Sequence, residues 1–235
     1  DLGVKGALNE DQRAMLARVR DTSKHLLGLI NEVLDLAKIG AGRMDLVMVE
    51  VDVSNVVERA VQQVLPLAQA KGLKLELLPR DDTRIPFAVA DETRLTQIVI
   101  NLLSNAVKFT STGGVTVSCI RDGERIQVHV CDTGPGISEE QQERIFDEFY
   151  QVEGGLARSS GGTGLGLAIA RRFARLMGGD INVTSELGKG AEFVVALPHP
   201  EIARHRIGAV PDRLDQPPDD HHAGNQRRHG DRRHH

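Results

Sequence analysis

The chain has 235 residues, 40% hydrophobic and 26% charged, with a formal net charge of -4, enough for one substantial folded domain and an appendage. Aromatic residues amount to 3% with no tryptophan, and the folded region carries no basic patch, so neither the charge footprint nor the stacking surface of a nucleic-acid binder is expected. No apolar run approaches the roughly 20 residues that cross a bilayer and no leader pattern opens the chain, which makes this piece cytoplasmic by expectation, without membrane contact of its own.

The sequence opens at Asp1 without an initiator methionine, and we expect a piece of a longer protein whose remainder is free to hold a membrane anchor. Residues 9–39 read as one long helix, because Leu16, Val19, Ser23, Leu26, Ile30, Val33 and Ala37 recur at alternating steps of three and four. Such a stripe is a seam for another helix. Leu27 and Leu34 widen it, which fits a helical bundle and predicts a homodimer through residues 10–39; a helix packed on its own domain is the alternative. Gly40 and Gly42 end it.

Residues 53–70 predict a second helix, with Ser54 as N-cap and Pro66 as a late kink or break. Residues 73–78 and 87–90 read as short strands separated by a polar turn at 80–83, and a third helix spans 92–109 with Asp91 as its cap. Residues 115–120 and 125–131 alternate around Asp122-Gly123, the signal of a tight antiparallel hairpin. Cys119 and Cys131 fall in these runs with no CxxC spacing and are expected to be small core residues. A short helix at 139–146, a glycine-rich loop and a helix at 165–177 follow. Strands at 181–185 and 191–197, joined through Gly188, Lys189 and Gly190, close the pattern. The sum is an α/β (α+β) two-layer sandwich, a mixed, mostly antiparallel sheet with helices on one face. From His199 onward periodicity vanishes among prolines, arginines and all the histidines except His25 and His129, a composition that predicts a disordered tail.

Four segments in fixed order carry the chemistry: NLLSNAVKFT (101–110), DTGPGI (132–137), FDEFYQ (146–151) and GGTGLGL (161–167). Asn101 and Asn105 lie four apart on a helix and share a face. An amide oxygen is a hard, neutral ligand for Mg²⁺ beside phosphates, which makes Asn105 the candidate metal ligand. Lys108, about a turn on, can meet a phosphate. Asp132 ends a strand, where its carboxylate can accept from the exocyclic amine of adenine and cannot accept from a guanine keto oxygen. Gly134 and Gly136 let a base approach the backbone, although DTGPG is also a good turn sequence. Gly161, Gly162, Gly164 and Gly166 surround Thr163 at a helix start, where free N–H groups hold phosphate. Residues 151–160 read as a lid whose near end Phe146 and Phe149 anchor by packing.

These segments resemble the N, G1, F and G2 boxes of the catalytic and ATP-binding domain of bacterial sensor histidine kinases, over residues 53–198. The resemblance implies the Bergerat ATPase fold shared with gyrase, heat-shock chaperone and mismatch-repair ATPases. It implies a pocket for ATP and Mg²⁺ made by Asn101, Asn105, Lys108, Asp132, Gly134, Gly136, Ile137, Phe149, Gly162, Thr163, Gly164, Leu165 and Gly166, with Asn101, Asn105 and Lys108 catalytic. Gly188 to Gly190 look like the family's later glycine turn. Hydrolysing relatives place a Glu where Asn101 stands, since attack by water needs a general base and a phosphoacceptor histidine brings its own nucleophile.

Residues 25–44 are similar to the second helix of the family's dimerisation and phosphoacceptor hairpin. In the family the phosphorylated histidine is followed by an acidic residue and soon by a proline. His25 is followed by Leu26, Leu27 and Gly28, and His129 lies in a predicted strand, so the acceptor is expected outside this chain. The expected organisation is 1–48 as hairpin helix and linker, 49–198 as ATP-binding domain and 199–235 as tail. The implied partners are a response-regulator receiver domain and the phosphoacceptor helix of the parent kinase. A nucleotide-dependent interaction module and an ATP hydrolase of the same superfold remain the alternatives.

Overall fold

A computed structural model of the chain describes residues 8–79, 86–151 and 163–201. Helix α1 spans Glu10–Gly40, and Asn9 caps it reciprocally: its side chain accepts from the Gln12 N–H at 2.8 Å while Gln12 accepts from the Asn9 N–H at 3.0 Å. The seam residues Leu16, Val19, Leu26, Ile30 and Val33 are exposed, as are Leu27 and Leu34. Another face meets the following domain: Asp35 is buried, and Leu36 and Ile39 pack on the core. One face thus packs on the chain's own domain, and the seam residues stay exposed.

The elements that follow are β1 (Val49–Asp52), α2 (Val53–Ala70), β2 (Lys74–Leu77), β3 (Phe87–Ala90), α3 (Glu92–Phe109), β4 (Gly114–Asp122) and β5 (Arg125–Asp132). After them come α4 (Glu139–Arg144), α5 (Gly166–Leu176), β6 (Asp180–Glu186) and β7 (Gly190–Pro198). Five strands form one sheet in the order β2-β4-β5-β7-β6; β2 pairs parallel with β4 and the remaining pairs are antiparallel. Alternation places Val115 and Val117, Ile126, Val128 and Val130, and Phe193, Val195 and Leu197 on the inner face. Against it lie Val56, Val57, Ala60 and Val64 of α2, Leu95, Ile98, Leu102 and Leu103 of α3, and Ile169 and Phe173 of α5. Burying each large apolar side chain fully contributes about 1.5–3 kcal/mol. This is the expected two-layer sandwich preceded by a long helix.

Several local expectations are corrected. Asp52, not Ser54, caps α2: its extended backbone ends β1 and its side chain accepts from the Asn55 N–H at 3.2 Å. Pro66 does not break α2, which continues to Ala70. Pro66 and Gln62 both face solvent, so water can serve the carbonyl that loses its partner. β1 was not expected at all, and β2 and β3 enter different sheets, because β3 pairs antiparallel with β1. Cys119 is buried as expected, but Cys131 is only half-buried on the outer face. Burial and then the neighbouring Glu192 carboxylate push its thiol up to about 11, which leaves it protonated and unreactive at neutral pH. The predicted turn at 80–83 and most of the predicted tail lie outside the described residues.

Asp91 joins these parts. One carboxylate oxygen caps α3 by accepting from the Arg94 N–H at 3.0 Å, and the other accepts from the Val47 N–H at 3.0 Å in the connection from α1. Both bonds lie in a nearly buried site. Asp91→Ala should therefore lower unfolding free energy by about 1–3 kcal/mol in urea titrations followed by circular dichroism; a loss below about 0.5 kcal/mol would remove this joint role.

Candidate functional site

Helix α3 has two faces. Leu102, Leu103, Ala106 and Val107 are buried, while Asn101, Asn105 and Lys108 are half-buried on the other side. The Asn105 Nδ2 donates to the Asn101 Oδ1 at 2.9 Å. That bond uses the Asn105 donor and leaves its amide oxygen as the acceptor, a hard neutral oxygen of the kind Mg²⁺ accepts. Lys108 lies over the Phe109 ring, 5.0 Å from its centroid, and burial holds its ammonium below the ordinary pKa.

Asp132 ends β5, and its Oδ1 accepts from the Gly134 N–H at 2.8 Å. Burial raises its carboxyl pKa, opposed by the N–H groups of Gly134 and Ala191. The turn after it rests on the end of α3: a side chain at Gly134 would begin 2.7 Å from the Asp132 Oδ1, 3.4 Å from the Phe109 carbonyl and 3.5 Å from the Thr110 Oγ1. Asp132 and the helix carrying Asn105 thus border one surface. Thr110 is fully buried, and its hydroxyl has no hydrogen-bond partner among the described residues. An unmet hydroxyl this close to Asp132 suits a polar ligand better than a sealed apolar core.

The far side of the turn is held by the β6–β7 connection. Gly136 has φ 72, and a Cβ there would collide with the Glu186 carbonyl, so glycine is required on both counts. The Gly188 N–H donates to the Pro135 carbonyl at 2.8 Å, and the Ile137 N–H to the Ser185 Oγ at 2.8 Å. Ile137 packs on the core.

Helix α5 starts beside the amide pair. A Cβ at Gly166 would lie 2.6 Å from the Asn101 Nδ2, so this helix start and the Asn101 amide are in close contact, and a larger residue would displace that amide. No side chain caps α5, and its first N–H groups are the kind that receive anions. Buried Leu165 sits at the cap position, and its N–H donates to the Thr163 Oγ1 at 3.1 Å. Gly164, with φ 72, abuts the Phe149 and Tyr150 backbone, and its carbonyl accepts from the Phe149 N–H at 3.0 Å.

Phe149 corrects an expectation. It does not anchor by packing: it is 65% exposed, on backbone at φ 62 whose N–H donates to the Gly164 carbonyl. Phe146 does pack, edge-on to Phe193 at 6.5 Å and beneath the Arg171 guanidinium at 4.5 Å. Gly161, Gly162 and nearly all of the expected lid lie outside the described residues. His129 sits within β5, its ring nitrogens 2.8 Å from Glu192 and 3.0 Å from Gln127. Sequence reading singled out neither Thr110, whose helix-end position carried no separate signal, nor Lys71, whose ammonium donates to the carbonyls of Val107, Lys108 and Thr110 at 2.8, 2.7 and 3.1 Å.

Residues 90–201 match the family described as histidine kinase-, DNA gyrase B-, and HSP90-like ATPase. The chain is 39% identical over 194 residues to the circadian input-output histidine kinase CikA of Synechococcus elongatus, covering 82% of this chain and 26% of CikA. It is 36% identical over 202 residues to the sensor histidine kinase GacS of Pseudomonas protegens, covering 84% and 22%. The chain thus spans about a quarter of the length of these curated relatives. Among solved structures, full-length ShkA in complex with AMPPNP superposes with a TM-score of 0.69 at 38% identity, covering 82% of this chain and 40% of ShkA. The Acinetobacter baumannii histidine kinase AdeS, at 20% identity and a TM-score of 0.62, shares the fold.

The raised pKa of Asp132 fixes a sign. A carboxyl titrating higher in the fold than in the unfolded chain opposes folding above its unfolded pKa, and the opposition fades as pH falls through the raised folded value. Asp132→Asn keeps an acceptor for the Gly134 N–H and removes the buried charge. It should raise the urea midpoint at pH 7, with the gain shrinking as pH falls toward 3.8, the ordinary value. A midpoint lowered at pH 7 would contradict this.

Proposed function

Residues 90–201 belong to the family of histidine kinase-, DNA gyrase B- and HSP90-like ATPases, and from that premise we propose that the chain is the ATP-binding catalytic core of a two-component sensor histidine kinase. It transfers the ATP γ-phosphate to a histidine outside this sequence. The observation that carries the reading is the continuity of one surface: Asp132 and Gly134 against the end of α3, the Asn101–Asn105 pair above them, and the start of α5 against Asn101.

Each residue has a task that its chemistry suits. Asp132 accepts from the exocyclic amine of adenine, and Gly134, Gly136 and Ile137 form the wall beside the base. Asn105 offers its amide oxygen to Mg²⁺ and Asn101 orients that amide. The ion, when bound, neutralises charge on the phosphate oxygens. Lys108 adds a cation for the phosphates. Gly162, Thr163, Gly164, Leu165 and Gly166 present backbone N–H groups to them, and Phe149 borders the same loop. Phosphoryl transfer asks mainly for positioning and charge stabilisation. With Asn101 in place of a carboxylate, the helix position that carries a general base in hydrolysing relatives holds a neutral amide, which favours a histidine acceptor over hydrolysis. His129 is held within the sheet by Glu192 and Gln127 and does not fit that role.

The exposed seam of α1 supports docking on the phosphoacceptor helix and a homodimer through residues 10–39, with 1–48 as hairpin helix and linker and 49–198 as the nucleotide domain. The next acceptor is an aspartate on a response-regulator receiver domain. Among the described residues no helix is long and apolar enough to cross a membrane.

Calorimetry tests the pocket. The chain should bind ATP with magnesium, and Asn105→Ala should weaken binding by at least about tenfold. Asp132→Asn should likewise weaken ATP by about tenfold or more without creating affinity for GTP. Label from ATP should appear on a separately supplied phosphoacceptor hairpin and not on this chain. Absence of ATP binding, or unchanged affinity in both variants, would overturn the reading.

A further inference from the structure

Among the described residues, helix α1 meets the rest of the fold at two polar points. Asp35 pairs with the Arg94 guanidinium at 3.0 Å, and Arg94 also donates to Gln97 at 2.9 Å and stacks on Phe173, 4.7 Å from the ring centroid. This point is packed and largely shielded: the paired side chains are 24% and 12% exposed. Three residues earlier, on the same side of the helix, the Glu32 Oε2 accepts from the Thr163 Oγ1 at 2.8 Å. That hydroxyl oxygen in turn accepts from the Leu165 N–H at 3.1 Å. A carboxylate from α1 is therefore one atom removed from the start of α5, whose N–H groups have no side-chain cap and whose first residue abuts Asn101.

We propose that Glu32 makes the end of the phosphate subsite selective for the number of phosphates and ties that selectivity to the docking of α1. The inference rests on the nucleotide reading above. The start of α5 abuts Asn101, the partner of the Mg²⁺ ligand of that reading, which assigns it the outermost phosphate, and Glu32 already engages the hydroxyl that borders it. Two anions at one helix start repel each other, and the partly buried setting screens them less than bulk water would. A diphosphate ends short of this point and coexists with the Glu32–Thr163 bond. A triphosphate competes with it and shifts the equilibrium toward an α1 released at Glu32. The Asp35–Arg94 pair, farther along the helix toward its C-terminus and shielded, remains as the pivot. By reciprocity, any force that holds α1 down weakens ATP more than ADP.

The test uses the whole chain with magnesium and measures ATP and ADP affinities by calorimetry for wild type, Glu32→Gln and Glu32→Ala. Glutamine keeps an oxygen for the Thr163 hydroxyl and removes only the charge. Glu32→Gln should raise ATP affinity roughly three- to tenfold while leaving ADP within about twofold, and Glu32→Ala should do at least as much. A purely structural role of Glu32 would move both nucleotides together. In hydrogen exchange, the α1 segment around Glu32 should exchange faster with saturating ATP than with saturating ADP. An unchanged ATP-to-ADP ratio, or a ratio that falls, overturns the proposal while wild-type ATP binding leaves the nucleotide reading intact. If wild type binds neither nucleotide, that reading fails, and this one with it.

Discussion

The constraint on which the site depends is that α3 must be apolar on one face and carry amides on the other without moving. Its apolar stripe, Leu95, Ile98, Leu102 and Leu103, is sealed in the core, which fixes the rotation of the helix about its axis. Rotation decides where Asn101, Asn105 and Lys108 point. Both ends are tied as well: Asp91 caps the N-terminus, and Lys71 spends its three donors on the carbonyls of the last turn. A helix held at both ends and along one side presents its amide pair as a rigid fixture. Pre-positioning of that kind is what phosphoryl transfer rewards.

Around this helix the structure uses close backbone approach in place of side chains. The turn at 134–136 sits between the end of α3 and the β6–β7 connection, and the start of α5 touches Asn101 directly. At Gly136, where a Cβ would overlap the Glu186 backbone, such contact requires glycine, and the start of α5 keeps its first N–H groups without a side-chain cap. The site also holds groups that the bare fold would not choose. Asp132 has its pKa raised by burial, and Thr110 has an unmet hydroxyl within reach of the same turn. Perturbed and unmet polar groups of this kind gather at functional sites more often than in ordinary cores.

Helix α1 presents two different faces. One face is apolar and exposed, and another is fastened through Asp35 and Glu32. The two fastenings differ in kind. Asp35 meets a shielded guanidinium supported by an aromatic ring, whereas Glu32 meets the Thr163 hydroxyl just before α5. The same helix face thus carries one shielded and one lightly held attachment to the rest of the fold.

Much of this was legible in the residue order. Periodicity located α2, α3 and α5, Asp91 marked the start of α3, and Asp122-Gly123 announced the β4–β5 hairpin, because helix faces and tight turns are set by neighbours a few positions apart. The amide spacing of Asn101 and Asn105 and the glycine density at 161–166 were local in the same sense. What the order of residues could not decide was long-range pairing. The partners of β2 and β3, the four-residue β1, the Asp52 cap that depends on β1, and the outward turn of Phe149 all follow from which segments meet in space. The Glu32–Thr163 bond spans 131 positions, and Lys71 reaches carbonyls 36 to 39 positions away. Sequence by itself determined the kinds of element and the chemistry they carry. Tertiary structure alone decided which of them touch, because those contacts are chosen by packing of the whole core and leave no periodic trace in either partner.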